Sequence, residues 1–80
     1  MSQPKAHEAV IRALSIELQA TSEEVRAAGS LRTDLGMDSI AVANILFALE
    51  EEFDCELDLD GVRRLDTVAD IAEVLASAAA

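Results

Sequence analysis

Ser39 is the side chain best placed to do chemistry, because its hydroxyl stands in the run Asp34-Leu35-Gly36-Met37-Asp38-Ser39-Ile40, between a glycine turn and an apolar-patterned segment. A serine hydroxyl can serve as an activated nucleophile or as the acceptor of a covalently attached group. Activation needs a base and a group that orients it. The single histidine, His7, lies more than thirty residues upstream, and Ser39 is followed by Ile40-Ala41 instead of the x-Gly of a nucleophile elbow. No catalytic residue is therefore expected. Asp-Ser at a helix start also has an ordinary structural use, since both residue types cap free backbone N–H groups. The same helix end carries partial positive charge and spare donors, which suit a phosphodiester on the hydroxyl.

The other reactive side chains point nowhere as clearly. Cys55 is the lone cysteine, so no internal disulfide can form, and a reducing, cytoplasmic setting is expected. His7 has no second histidine with which to build a ligand pair and reads as a packing or surface residue. The run Glu56-Leu57-Asp58-Leu59-Asp60-Gly61 has the alternating acids of a calcium-loop opening, but Arg64 and Thr67 then stand at its ninth and twelfth positions, where ligands are needed. No metal site is expected.

Charge narrows the partners. Six Lys and Arg against sixteen Asp and Glu leave a net charge of −10, which argues against nucleic-acid phosphates and anionic membranes as natural counterparts and favours basic protein surfaces. No Lys or Arg occurs between Arg32 and Arg63, an interval that holds nine carboxylates: Asp34, Asp38, Glu50, Glu51, Glu52, Asp54, Glu56, Asp58 and Asp60. The negative field is concentrated on Ser39 and the chain after it. The longest apolar run, Ile45 to Leu49, is far too short to span a bilayer.

The elements that must position Ser39 follow from periodicity. Eighty residues form a single domain, 1–80, and the Ala- and aliphatic-rich composition with only Phe47 and Phe53 as aromatics is that of an all-α protein. Pro4 suits a first turn, and His7, Val10, Ile11, Leu14 and Leu18 make a helical stripe, so a first helix is expected from Pro4 to Gln19. Thr21-Ser22-Glu23-Glu24 has the form of a capping box opening a short helical turn, which Gly29-Ser30 ends. The result is a long loop, pinned by Val25, Leu31 and Leu35, that delivers the chain to Ser39. A second helix fits Ser39 to Phe53, with Val42, Ile45, Leu46, Leu49 and Phe53 on its core side. Val62 to Leu65 reads as one short irregular helix. Thr67 then caps a last helix with the stripe Val68, Ile71, Ala72 and Leu75. The fold expected is a small four-helix bundle of three main helices and one short one, and Ala78-Ala79-Ala80 should fray.

The second helix has another face. A step of ~100° per residue places Ile40, Asn44, Phe47 and Glu51 opposite the core stripe, with Ala43 at the edge. Either a neighbouring loop covers Ile40 and Phe47, or they form a docking surface on which apolar residues set the fit and carboxylates such as Glu50 and Glu51 set the encounter.

Asp34-Leu35-Gly36-Met37-Asp38-Ser39-Ile40 closely resembles the Asp-Leu-Gly-x-Asp-Ser-Leu motif of acyl carrier proteins, with Ile40 in place of Leu. The likeness extends from about Val10 to Leu75, through Glu23-Glu24-Val25, Ala48-Leu49-Glu50-Glu51-Glu52-Phe53-Asp54 and Thr67-Val68. The resemblance implies that Ser39, beside Asp38 and Gly36, carries a 4'-phosphopantetheine arm moved from coenzyme A by a phosphopantetheinyl transferase. It implies a freestanding monomeric carrier, not an enzyme, that presents thioester-bound acyl groups to loading and processing enzymes with basic docking surfaces. The sequence departs from the fatty-acid type at Ala41 and Asn44, where such carriers typically have acids. A specialised pathway is favoured, such as polyketide or modified-lipid assembly. Asp38 leans toward acyl cargo over the aminoacyl cargo of nonribosomal peptide carriers, which stay open as an alternative. An unmodified acidic interaction module would share the same surface.

Overall fold

Capping residues divide the chain before packing does. The computed structural model describes residues 1–58, 61 and 64–79, and among them it forms α1 (Gln3–Leu18), α2 (Ser22–Ala27), α3 (Leu31–Leu35), α4 (Ser39–Phe53) and α5 (Val68–Ala78). Ser2 caps α1, accepting from the Lys5 N–H at 3.4 Å, and Pro4 occupies its first turn, where a missing N–H costs nothing. Gln19 ends α1 and Asp54 ends α4, both in the left-handed region at φ 52° and 50°. The capping box expected at Thr21 and the cap expected at Thr67 are both present, the latter also as a capping box. Thr21 and Glu24 exchange bonds of 3.0 Å at the start of α2, and Thr67 and Asp70 exchange bonds of 3.1 Å at the start of α5.

The three main helices build the core. From α1 come Ala6, Ala9, Val10, Ile11 and Leu14; from α4 come Val42, Ile45, Leu46 and Leu49; from α5 come Ile71, Ala72 and Leu75. All are buried, and they form one contiguous apolar cluster. The alanines of α1 offer little side chain to hold a neighbour away, and α1 packs against both α5 and α4. Two cross-links show that α1 and α4 run antiparallel: Arg12 meets Glu52 at 3.5 Å, while Glu17 meets Asn44 at 3.1 Å. The C-terminal end of α1 therefore lies beside the N-terminal end of α4, where Ser39 stands.

The architecture agrees with the expected all-helical bundle, and α4 has the expected bounds. The connection between α1 and α4 differs, because it holds two short helices. Gly29-Ser30 closes α2, but Ser30 is also the cap of α3, accepting from the Thr33 N–H at 3.2 Å. Val25 and Leu31 are buried and Leu35 half-buried, as expected of residues that pin this segment. Leu59, Asp60, Val62, Arg63 and Ala80 lie outside the described residues. With them go the first half of the short helix expected at Val62 to Leu65, part of the calcium-like run and the end of the expected fraying. At the edges of that gap the Arg64 N–H donates to the Gly61 carbonyl at 2.9 Å, and Leu65 is buried.

Candidate functional site

Three successive residues determine how the chain enters α4. Gly36 ends α3 in the left-handed region at φ 69°, a conformation that glycine adopts without a Cβ penalty. A Cβ built on it would meet no atom within 4 Å, so the glycine is there for its backbone and not for room. Met37 follows with its side chain buried at 2% exposure, and its N–H donates to the Leu31 carbonyl at 3.1 Å. Asp38 then caps α4, its Oδ1 accepting from the Ala41 N–H at 2.8 Å while its carbonyl accepts from Val42 at 3.0 Å. Ser39 is the first helical residue and is exposed.

Of the four N–H groups that a helix start leaves without an intrahelical carbonyl, the Asp38 carboxylate takes that of Ala41. Those of Ser39 and Ile40 have no acceptor within the first turn. They sit at the positive end of the α4 dipole, beside the Ser39 hydroxyl. This donor set fits a phosphodiester on Oγ. His7 is half-buried and borders a shallow depression with Arg26, Gly29 and Thr67, of which Ser39 is not part.

The chain leading to the serine is anchored from behind. Asp34 turns away from Ser39: its Oδ2 accepts from the N–H groups of Gly29 at 2.9 Å and Ser30 at 3.2 Å. Asp66, in the segment before α5, accepts from the Arg32 N–H at 3.0 Å and from Ser30 Oγ at 2.8 Å. Its carbonyl takes the Leu31 N–H at 2.8 Å, and the Leu65 carbonyl takes Arg32 Nε at 3.1 Å. The Arg32 backbone donor, followed by the Ser30 hydroxyl, holds the Asp66 carboxyl below its ordinary pKa. Asp66 joins this set from 36 residues beyond Ser30, and no local signal in the sequence marks it.

The second face of α4 is open. Ile40 is 72% and Phe47 54% exposed, so no loop of the described chain covers them. Ala43 is half-buried at the edge of that face, and Glu51 is exposed. Glu50 is engaged within the chain, with its Oε2 accepting from the Leu57 N–H at 2.8 Å and steadying the turn after α4. Asn44 is exposed and donates through Nδ2 to Glu17 Oε2 of α1, so the carboxylate at this point of the face comes from a different helix. Next to Glu17, Ile16 is 80% exposed. Periodicity could have singled it out, because it falls outside the stripe of His7, Val10, Ile11, Leu14 and Leu18.

Among the described residues no three His, Cys, Asp or Glu side chains converge to hold a metal ion, and no helix is long and apolar enough to cross a membrane. Cys55 is half-buried, and burial, then the Glu50 and Asp54 carboxylates, push its thiol pKa up.

Comparison with known proteins identifies the family. The profile of the family described as "Phosphopantetheine attachment site" matches residues 8–75. The chain is 33% identical over 72 residues to an "Acyl carrier protein" of Bdellovibrio bacteriovorus, covering 90% of this chain and 87% of that protein. It is 32% identical over 80 residues to "Acyl carrier protein 3" of Ralstonia nicotianae, covering 100% and 92% of the two chains. It is likewise 32% identical over 75 residues to an "Acyl carrier protein" of Prochlorococcus marinus, covering 94% of each.

Proposed function

This chain belongs to the acyl carrier protein family, whose members carry a covalently attached phosphopantetheine, and from that premise we propose that Ser39 is the attachment residue. The observation that carries the reading is the pairing of an exposed hydroxyl with a rigid approach: Gly36, Met37 and Asp38 determine the backbone, while Ser39 itself stays open. In the loading reaction Ser39 Oγ forms a bond to the β-phosphorus of coenzyme A and gives up its proton. The pyrophosphate P–O bond breaks, and 3',5'-adenosine bisphosphate leaves. The base for that proton belongs to the transferase, since no histidine or paired carboxylate of this chain is set against Oγ. The protein then acts as a monomeric, cytoplasmic carrier. It holds acyl groups as thioesters and raises their effective concentration at partner enzymes, which perform the catalysis.

Partners dock on Ile40, Ala43, Asn44, Phe47 and Glu51, with Glu50 holding the end of the helix in place. Basic enzyme surfaces are steered there by the net charge of −10. Ala41 is half-buried and Asn44 presents an amide, so the first half of α4 has no carboxylate of its own beyond the cap Asp38. That surface supports a specialised acyl pathway, polyketide or modified-lipid in type. The test is intact mass after incubation with coenzyme A and a broad-specificity phosphopantetheinyl transferase. The wild-type chain should gain one arm and Ser39→Ala none. No gain in the wild-type chain with several transferases, or an equal gain in both proteins, would overturn the assignment.

A further inference from the structure

The exposed large apolar side chains among the described residues are Ile16, Ile40 and Phe47. Two belong to α4. Ile16 belongs to α1, on the side from which α1 reaches α4: Arg12, one turn before it, pairs with Glu52, and Glu17, next to it, bonds Asn44. Because the helices are antiparallel, this last turn of α1 stands beside the stretch of α4 at Asn44, which lies between Ile40 and Phe47 in the sequence. An isoleucine left in water there does nothing for the fold. Its burial by a partner would remove that apolar surface from water.

We propose that the docking surface of this protein spans two helices, with Ile16 and Glu17 of α1 continuing the face made by Ile40, Asn44 and Phe47. The proposal rests on the carrier reading of Ser39. The occupant is the enzyme that loads Ser39 from coenzyme A. Whatever attaches a group to Oγ must cover the N-terminal end of α4, and a protein-sized footprint there reaches the adjacent end of α1. The chemistry of its contact patch follows from the rim. Glu17, Glu51 and Asp38 border the apolar residues, and the nearest cation of α1, Arg12, is already paired with Glu52. The patch that fits is an apolar hollow flanked by Lys or Arg. A second copy of this chain fits badly, because each copy would bring the same carboxylates and a charge of −10 to the contact.

The Glu17–Asn44 bond gives the two-helix surface its geometry. It ties the end of α1 to α4 beside Ile16, so less ordering entropy remains to be lost on docking.

The test measures transfer of phosphopantetheine from coenzyme A by a phosphopantetheinyl transferase, with the whole chain as the varied substrate. Wild type, Ile16→Ala, Ile16→Asp and Phe47→Ala are compared, with helical content checked by far-UV circular dichroism. Ile16 is so exposed that both of its variants should keep the fold. Ile16→Ala should raise KM about fivefold and Ile16→Asp more than about tenfold, with kcat nearly unchanged, because contact at the rim of the reacting centre contributes to binding and not to chemistry. If KM stays within about twofold of wild type in both Ile16 variants while Phe47→Ala raises it, the surface stops at α4 and the proposal fails. If the wild-type chain is never modified, the carrier reading and this proposal fall together. Sedimentation equilibrium covers the rival occupant: a wild-type dimer at micromolar concentration that Ile16→Asp dissociates would replace the enzyme with a second copy and overturn the assignment.

Discussion

Gly36→Ala separates two uses of a glycine beside the serine proposed as the attachment residue. A glycine can serve its backbone, by adopting a conformation other residues resist, or it can serve a visitor, by leaving room for close approach. At φ 69° Gly36 is in the left-handed region, and a Cβ added there meets nothing within 4 Å. The cost of alanine is therefore conformational. An L-residue in that region loses about 1–2 kcal/mol, and the stiffer unfolded chain offsets roughly 0.4–1 kcal/mol. The net loss is about 1 kcal/mol, which in a domain of this size lowers Tm by roughly 4–8 °C. Asparagine tolerates the left-handed region better, so Gly36→Asn should lose about half as much. Urea denaturation and thermal melts of the three proteins measure this order, and arm transfer to Ser39 measures function at a temperature where all are folded. Near-normal transfer kinetics are expected. A stability loss of about 3 kcal/mol or more, or asparagine no better than alanine, would refute the conformational account. A folded Gly36→Ala protein with about tenfold poorer transfer would show that the space above residue 36 belongs to the partner.

Three further outcomes are expected. Asp38→Ala removes the cap on the Ala41 N–H and should cost about 1 kcal/mol, while Asp38→Asn or Asp38→Ser restores most of it; equal losses in all three, by urea denaturation, would show that the cap is not the source. Asp66, with its folded pKa lowered chiefly by the Arg32 N–H, stabilises the protein above the unfolded carboxyl pKa and loses that contribution as pH falls through the lower folded value. The stability gap between wild type and Asp66→Asn should therefore be widest near neutrality and shrink below about pH 4, and a gap independent of pH would count against it. Cys55, with its pKa pushed up by burial and then by Glu50 and Asp54, should react with iodoacetamide at pH 7 more slowly in the folded protein than in urea; equal rates would mean that the thiol is freely exposed.

Long, strongly patterned elements were legible in the sequence, and single turns were not. The bounds of α4 could be read because Asp38 caps one end and the apolar period runs unbroken to Phe53. The caps at Thr21 and Thr67 declare themselves through acids three residues on. α3 escaped notice because five residues make little more than one turn, too short to show a period, and because Gly29-Ser30 looks like an ending when Ser30 is a beginning. The Ser39 run was legible as a motif, but its members divide in space: Gly36 and Asp38 shape the approach to the serine, while Asp34 secures the loop behind it. Asp66 and Glu17 reach the site only through tertiary contacts, across 36 and 27 residues, and no local pattern encodes such pairings.

The Glu17–Asn44 bond also changes what the departure at residue 44 means. Along α4 alone, Asn44 counts as a carboxylate lost from the recognition face. In the folded chain Glu17 brings a carboxylate to that point from α1, so the charge missing at residue 44 is replaced while its geometry is not. A partner built to pair an arginine with an acid projecting from α4 meets an amide there first, and finds the carboxylate displaced onto α1 and already holding a hydrogen bond. Bidentate pairing depends on the position and planarity of both groups, so a displaced and engaged carboxylate discriminates between partners that a simple count of charge would treat as equal. Selectivity of this kind leaves the long-range attraction of a −10 protein intact and acts only at contact. Ile16 lies beside that displaced carboxylate, where a partner that accepts the α1-borne charge would also find an apolar side chain to cover.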